Sequence, residues 1–316
     1  MGNLPCISRA KYTPPDYPGL PDDSWLCNDL NESWLGTTVP QRSSSTEGVC
    51  WSQGDGTSFQ VRCGPNYLEK KQKQGSAASL YDCVSLDVVR SDKIVNQVLG
   101  RLVPAPQSHT EAWSPGCGLP HTICFVINLP YTTNFAGEKP DDTGCSIVTV
   151  HTVTDETLRL NVENSSAAVR LFKEFCAKSD GPCVDRATSS TGGVLKGIAT
   201  GENVDELGLP WVSQPMVRNY NGTPALMTRS AHVHKGPDGN WMEVDIDVRF
   251  WSYAARSALY NLRSYLTRAV VHIGFCVQGC GDDELPEGVL CAVRLWNLDI
   301  VKNPLEIFDE PFPARV

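Results

Sequence analysis

Long apolar runs are missing from this 316-residue sequence, although 41% of its residues are hydrophobic. A membrane-spanning helix needs a run of about 18 to 20 such residues, so we expect any contact with a membrane to be peripheral or through a lipid anchor. Positive charge is also scarce, since 27 Lys and Arg stand against 36 Asp and Glu. The net charge of −9 disfavours binding to a phosphate backbone, and we predict no nucleic-acid partner.

Signatures of catalysis are missing as well. The chain contains no G-x-S-x-G elbow, no H-E-x-x-H, no C-x-x-C pair and no Gly-rich phosphate loop, which are motifs of hydrolytic, metal-dependent and nucleotide chemistry. Because catalytic triads are defined by geometry and not by sequence order, a cryptic enzyme stays open as the less favoured alternative. We predict no catalytic residue, no metal, no cofactor and no enzymatic activity.

The number of cysteines and the start of the sequence indicate a reducing compartment. Thirteen cysteines are present, an odd number that leaves at least one thiol outside any disulfide framework. The opening residues lack the basic and apolar segments of a secretory signal. We therefore expect mostly free thiols and a cytoplasmic location, with the protein either dissolved there or bound to a membrane surface.

The beginning of the chain differs from the rest in composition. Residues 1–47 are rich in Pro, Asp and Ser, and the prolines exclude a helix, so we predict an extended arm there and one domain over 48–316. Trp25 and Trp34 would each bury a large area. We expect these two side chains to dock the arm onto the domain.

The first six residues, Met-Gly-Asn-Leu-Pro-Cys, are compatible with lipidation. Removal of the methionine exposes Gly2 for a myristoyl chain, and Cys6 is close enough to carry a palmitoyl chain. Two acyl chains anchor a protein stably, whereas one binds only marginally. The alternative is an ordinary initiator dipeptide without modification.

Hydrophobic periodicity defines the elements of the domain. Alternating or β-branched runs predict strands at Phe59–Cys63, Tyr81–Val89, Thr122–Leu129, Cys145–Val153, Trp241–Phe250, Val270–Val277 and Leu290–Leu298. Amphipathic spacing predicts helices at Lys93–Leu102, Ala167–Lys178 and Tyr253–Arg268, and the stretch 181–201 is interpreted as a loop. This order predicts an α+β fold in one domain, with a largely antiparallel sheet and helices packed mainly on one face.

The strand at 241–250 alternates strictly, which places its apolar and acidic residues on opposite faces. The apolar face carries Met242, Val244, Ile246 and Val248, and the acidic face carries Glu243, Asp245 and Asp247. We expect the acidic face to point to solvent, with Arg249 or Arg294 pairing with the carboxylates. The less favoured alternative is a divalent cation held by these oxygens.

Several of these segments resemble one family. The run Trp241–Asp247 with the alanine-rich helix after it is similar to the strand and helix of the plant enhanced disease resistance two C-terminal domain. Other pieces resemble that domain in the same order: Phe59–Arg62 with Tyr67–Lys73, Phe125–Pro130, Asp283–Glu287 and Ala292–Leu295. The resemblance covers about residues 20–310. At Ser189–Ile198, where the family has a basic segment, this sequence differs from the family.

In plants this domain, whose function is unknown, often follows pleckstrin-homology and START domains, so the resemblance implies a link to lipids and membranes and no catalytic residues. Ala255 and Ala258 are small residues on the inner side of their helix, and they either allow close packing or leave an apolar cavity. The resemblance favours a ligand cavity. Its expected lining is Met242, Val244, Ile246, Val248, Ala255, Ala258, Leu262 and Phe275.

The basic residues Lys70, Lys71 and Lys73 are the expected contact with anionic headgroups, with a solvated charge run as the alternative. The leading hypothesis is a non-catalytic module that binds a lipid or another apolar ligand at membranes. The second is a structural or interaction protein held on a membrane or a protein scaffold, and the third is a metal-dependent enzyme.

Overall fold

A computed structural model describes residues 35–102, 113–131, 144–179, 191, 194–211, 213–236 and 239–307. The expected lipidation sites Gly2 and Cys6 and the expected anchors Trp25 and Trp34 lie outside the described residues.

The described chain forms thirteen strands and six α-helices. The strands are β1 Cys50–Gln53, β2 Gln60–Arg62, β3 Lys73–Gly75, β4 Tyr81–Ser91, β5 Thr122–Pro130, β6 Gly144–Val153, β7 Leu195–Gly201, β8 Ala225–Leu226, β9 Ala231–Lys235, β10 Trp241–Asp247, β11 Val270–Val277, β12 Val289–Trp296 and β13 Leu305–Glu306. The helices are α1 Tyr67–Lys70, α2 Val98–Leu102, α3 Asp155–Glu163, α4 Ala167–Lys178, α5 Gln214–Tyr220 and α6 Tyr253–Leu266.

Eleven of these strands build one sheet in the order β8-β7-β11-β12-β4-β6-β5-β10-β9, with β1 added to β12 and β13 added to β4. Most neighbours are antiparallel, but β4 pairs with β12 and with β13 in parallel, and β5 pairs with β10 in parallel. The α+β prediction is therefore confirmed. The sheet is mixed, because the parallel pairs bring together strands that are distant in the chain.

The sheet consists of two halves that meet at one point. The half with β7, β11 and β12 joins the half with β4, β6, β5 and β10 through a single bridge, Cys291 to Tyr81. Beyond that bridge β12 pairs with β1, and β4 pairs with β13. Strand pairing between the two halves is therefore limited to this point, next to a hydrogen bond from the Leu80 N–H to the Val289 carbonyl at 3.1 Å.

The two halves face each other. The rings of Phe125 on β5 and Phe275 on β11 stack with centroids 3.9 Å apart and an angle of 4° between the rings. Four strand spacings separate β5 from β11, which would be about 19 Å in a flat sheet. The sheet is therefore curled, and we call the face that carries these two rings the interior face and the opposite one the outer face.

Helix α4 closes one end of the interior. Ser166 caps it by accepting a hydrogen bond from the backbone N–H of Val169, and its apolar stripe then points to one side. Val169, Phe172 and Phe175 of that stripe are buried in one cluster with Phe125 and Phe275. Burial of such side chains contributes about 1.5–3 kcal/mol each, so α4 stabilises this end of the curl.

The last residues of the predicted arm contact the domain. The backbone N–H groups of Gly36, Thr37 and Thr38 donate to the Asp87 carboxylate at 2.6–3.0 Å. Val39 is buried beside Trp51, whose indole N–H donates to the Val39 carbonyl at 3.1 Å. This part of the arm is therefore fixed to the sheet by backbone hydrogen bonds and one apolar contact.

Candidate functional site

The interior face does not form one continuous apolar core. One cluster surrounds Phe125 and Phe275 next to α4, and a second surrounds Trp51 and Leu295 at the opposite end. Ile127 and Ile273 contact both clusters and are only partly buried. Because a domain of this size usually packs one contiguous core, the partly buried side chains mark a division in the interior.

The C-terminal part of helix α6 packs beside this division. Leu266 packs against the second cluster, Leu262 packs with Leu207 and Leu209, and the Arg263 guanidinium donates to the Tyr131 carbonyl at 3.4 Å. These contacts hold the C-terminal part of α6 between the two halves of the sheet. Even so, every residue of α6 keeps an exposed fraction, which is unusual for an amphipathic helix over a sheet.

Two polar side chains lie on the interior face of β6. Thr149 and His151 are each 1% exposed, and strand alternation points them to the side that carries Ile147. Among the described residues, none offers a hydrogen-bond partner to the Thr149 hydroxyl or to either ring nitrogen of His151. The His151 ring meets Phe125 edge-on at 6.2 Å between centroids. Burial lowers the pKa of His151 to about 3, so its ring is neutral.

The ligand-binding residues that the sequence predicted fall into different environments. Four lie together in the cluster of Phe125, namely Met242, Val244, Ile246 and Phe275, and Val248 is buried. Leu262 packs instead with Leu207 and Leu209. Ala255 and Ala258 are partly buried on the side of α6 that also carries Leu262.

The acidic face of β10 does not point to solvent, and that prediction was wrong. Glu243 is 0% exposed, and Asp245 and Asp247 are 5% exposed. Glu243 accepts hydrogen bonds from the backbone N–H groups of Val98 and Leu99, at 2.7 Å each. Burial, with the neighbouring Asp245 carboxylate, raises the pKa of Glu243 well above its ordinary value. The N-terminal end of α2 covers this part of the face, and its N–H groups satisfy the buried carboxyl group.

The other two carboxylates of β10 also have partners. Asp247 pairs with Arg249 at 2.7 Å, as predicted, and Asp245 lies 2.9 Å from the His234 ring nitrogen. Arg294, the other expected partner, pairs instead with Glu202. Within the described ranges, no group of three or more His, Cys, Asp or Glu side chains is arranged to hold a metal ion.

The basic residues expected to contact headgroups lie on the exposed loop 67–73, which comprises α1, the turn after it and the first residue of β3. Lys70, Lys71 and Lys73 all point to solvent, and the Lys71 ammonium lies 5.6 Å from the centre of the Tyr67 ring. Leu68 in the same loop is 66% exposed. The loop therefore presents one apolar side chain flanked by positive charge.

The cysteines of the described chain form no disulfides. All ten cysteines of the described chain are free thiols, and nine of them are fully or partly buried. None of the described helices combines the length and the hydropathy needed to cross a bilayer. Burial raises the pKa of the Cys276 thiol to about 11, so this thiol is unreactive at neutral pH.

Sequence reasoning missed the residues that divide the interior, Ile127, Ile273, Thr149 and His151. The alternation of β6 does place Thr149 and His151 on the face that carries Ile147. A polar residue at two successive interior positions of an otherwise apolar strand was the available signal. Whether that face would be covered depended on strands more than 100 residues away.

The fold and the site define the class as a curled α+β domain with a divided apolar interior under one helix. The family model of the C-terminal domain of protein ENHANCED DISEASE RESISTANCE 2 matches residues 51–299. The chain belongs to that family, which confirms the resemblance found in the sequence. It is similar to an ENHANCED DISEASE RESISTANCE 2-like protein of Arabidopsis thaliana, with 27% identity over 253 residues.

That alignment covers 79% of this chain and 29% of the Arabidopsis protein. The chain thus corresponds to less than a third of the length of that relative. No solved structure matches the chain.

Proposed function

We propose that this domain binds a lipid or another apolar ligand in the interior of its curled sheet, under α6, without catalysing a reaction. The observation that carries the proposal is the division of the interior at Ile127 and Ile273. Apolar side chains that stay partly accessible inside a fold are typical of ligand sites, which are concave and mostly apolar. The predicted lining residues Met242 and Val244 lie in the cluster against which Ile127 and Ile273 pack.

The position of α6 supports this proposal. Ala255 and Ala258 lie on the side of α6 that also carries Leu262. Every residue of this helix keeps some exposed surface. Small side chains that do not fill the space below them leave room for a ligand, and a helix held mainly at its C-terminal end can move to admit one.

The first experiment is native mass spectrometry of the protein expressed in eukaryotic cells, with solvent extraction of any bound molecule. We expect a defined additional mass that extraction releases and that is identifiable as a lipid. The same spectrum tests acylation at Gly2 and Cys6, because a myristoyl or palmitoyl chain stays attached through extraction. A bare polypeptide mass would favour the interaction-protein alternative.

A pair of variants tests the location of the ligand. Ala255→Trp places a large side chain on the inner side of α6, and Ala254→Trp makes the same change at the exposed neighbouring position. Overpacking costs about 1–3 kcal/mol, so we expect Ala255→Trp to weaken saturable binding of the apolar dye N-phenyl-1-naphthylamine roughly tenfold or more. Equal affinity of the two variants, or no saturable binding by the wild-type protein, would contradict the proposal.

We further propose that the domain works in the cytoplasm and contacts membranes peripherally through Lys70, Lys71 and Lys73. The loop is exposed and carries Leu68 beside the charges, which suits insertion of one apolar side chain into an anionic surface. Each lysine near such a surface contributes about 1 kcal/mol. Changing all three to alanine should therefore weaken binding to vesicles that contain phosphatidylserine by about a hundredfold.

The control for this experiment is the triple alanine variant of Lys173, Lys178 and Lys302, which are exposed elsewhere and change the net charge equally. Sedimentation with phosphatidylcholine vesicles, with and without phosphatidylserine, is the measurement. Equal losses in the two triple variants would mean that net charge, and not this loop, governs the contact.

The interaction-protein alternative has one supporting observation. Trp211, which precedes α5, and Tyr220, its last residue, are 82% and 71% exposed. Large exposed aromatic side chains are enriched in protein interfaces. If the extracted protein is bare and Trp211→Ser abolishes its self-association in analytical ultracentrifugation, this alternative is preferred.

A further inference from the structure

The interior of the sheet contains buried polar atoms that the packing leaves without partners. Thr149 and His151 lie two residues apart on β6, so their side chains are about 7 Å apart and point in the same direction. Thr149 faces Phe125 on one neighbouring strand and Leu86 on the other. A hydroxyl group and an imidazole thus lie in an apolar wall, within reach of one bound molecule.

Buried polar groups in folded proteins almost always make hydrogen bonds, because an unmade one costs about 1–3 kcal/mol. Two other buried hydroxyl groups of the described chain follow that rule, although the Ser79 hydroxyl does not. The Thr157 hydroxyl, also 1% exposed, donates to the Leu80 carbonyl at 2.8 Å, and the Ser146 hydroxyl donates to Asn128 at 2.7 Å. His151 differs from the buried His272, because both of its ring nitrogens lack a partner in the described chain, whereas His272 Nδ1 lies 3.2 Å from the Ser58 hydroxyl oxygen. The Thr149 hydroxyl and the His151 ring thus form a group of unpartnered polar atoms on one face of β6.

These atoms lie next to the division of the interior. Along β6, Thr149 follows Ile147, and Ile147 is directly opposite the partly buried Ile127 on β5. His151 is one interior position deeper and contacts Phe125. A molecule that enters between Ile127 and Ile273 thus meets apolar side chains first and the polar pair at its inner end.

We infer that Thr149 and His151 hydrogen-bond an uncharged hydroxyl or carbonyl group of the ligand, which makes the preferred ligand an apolar alcohol or carbonyl compound and not a plain hydrocarbon. This inference rests on the proposed function. A neutral imidazole offers one donor and one acceptor, and a threonine hydroxyl offers both. A charged carboxylate is disfavoured, because the neighbours Phe125, Leu86 and Ile123 provide no compensating cation.

The test compares 1-dodecanol with dodecane as competitors of N-phenyl-1-naphthylamine, on protein stripped of bound lipid. Thr149→Val removes the hydroxyl group and keeps the shape, whereas Thr149→Ser keeps the hydroxyl group. We expect Thr149→Val to raise the concentration of 1-dodecanol needed for displacement about fivefold, and to leave that of dodecane unchanged. His151→Phe should act in the same direction, so the test stands if either variant folds.

The outcomes separate the inference from the proposed function. If the dye does not bind the wild-type protein saturably, the proposed function fails. If the dye binds and neither Thr149→Val nor His151→Phe changes the concentration of either competitor needed for displacement, the ligand site stands and this inference is overturned. If Thr149→Ser loses the preference as fully as Thr149→Val, the hydroxyl group is not the contact, which also overturns it.

Discussion

On the outer face of β10 the buried Glu243 accepts hydrogen bonds from two backbone N–H groups, whereas on the interior face of β6 the equally buried Thr149 and His151 find no partner within the described chain. Both regions are parts of one sheet and both are closed to solvent. On the outer face, the N-terminal end of α2 supplies hydrogen bonds to Glu243. On the interior face, Thr149 and His151 lie among apolar side chains such as Phe125 and Leu86, which supply none.

The difference separates two roles of buried polarity. A saturated polar group fixes one segment against another and contributes to stability. The Lys196 ammonium on the outer face belongs to this kind, since it lies 2.5 Å from the buried Glu287 carboxylate, which also accepts a hydrogen bond from the Gly279 N–H. An unsaturated polar group lowers stability, and proteins keep such departures mainly at functional sites. Substitution of each group tests this difference, because the free energy of unfolding should fall when a saturated group is removed and rise when an unsaturated one is removed.

The largest effect is expected at Glu243. Glu243→Ala leaves the N–H groups of Val98 and Leu99 buried without acceptors, so we expect a loss of about 3–5 kcal/mol in the free energy of unfolding. Glu243→Gln keeps one acceptor oxygen, so its loss in the free energy of unfolding should be smaller. The exposed Glu69→Ala should change the free energy of unfolding by under about 0.5 kcal/mol. Urea denaturation measures all three. If Glu243→Ala loses as little stability as Glu69→Ala, the hydrogen bonds to Glu243 do not stabilise the outer face.

The next effect is a pH dependence at His151. The folded ring stays neutral down to about pH 3, whereas the unfolded ring is protonated below about pH 6.5. The unfolded state therefore binds more protons in this window, and the stability falls as the pH is lowered, by about 1.4 kcal/mol per pH unit. His151→Phe should remove this part of the slope in thermal or urea unfolding between about pH 6.5 and 4.

Thr149→Val, which leaves the ring in place, is the control for that slope. If the wild-type protein and His151→Phe lose stability in parallel as the pH falls, the ring is not held neutral and the assignment of an unpartnered imidazole is wrong.

The smallest effect has the most informative sign. In protein stripped of lipid, Thr149→Val removes an unsatisfied buried hydroxyl group, and we expect a gain of about 1 kcal/mol in the free energy of unfolding. Thr157→Val makes the same change where the hydroxyl donates to Leu80, and we expect a loss of about 1 kcal/mol. The two melting temperatures should move in opposite directions. A loss at both positions would falsify the contrast between the faces.

Several elements could be read from local pattern alone. Helix α4 begins and ends where its spacing predicted, at Ala167 and Lys178, and β11 spans the predicted Val270–Val277. Helix α4 has an apolar periodicity and a capping serine, and β11 is a β-branched apolar run, all of which are local signals. Helix α2 is shorter than predicted and begins at Val98, because the backbone before it is not helical: the Val95 N–H donates to Asn128, and Gln97, with a φ of 49°, donates its N–H to the Asp245 carboxylate.

Strand β7 illustrates the opposite case. Its sequence, Leu195–Gly201, contains two glycines and belongs to a stretch interpreted as a loop. It is a strand because it pairs with β11, where Gly197 is opposite Phe275. A side chain at Gly197 would clash with Met227, 2.6 Å from where its Cβ would lie. The glycine therefore allows a close contact in the interior, which no local pattern reports.

The sequence by itself determined the family, the α+β class and the alternation that puts Met242 and Glu243 on opposite sides of one strand. It could not determine that both sides would be buried, because this depends on Val98 and Leu99, about 145 residues away. Periodicity states which side chains share a face. Only the tertiary structure decides what covers that face, since the curl of the sheet and the position of α6 depend on contacts between distant segments, and those contacts left Thr149 and His151 without partners in the described chain.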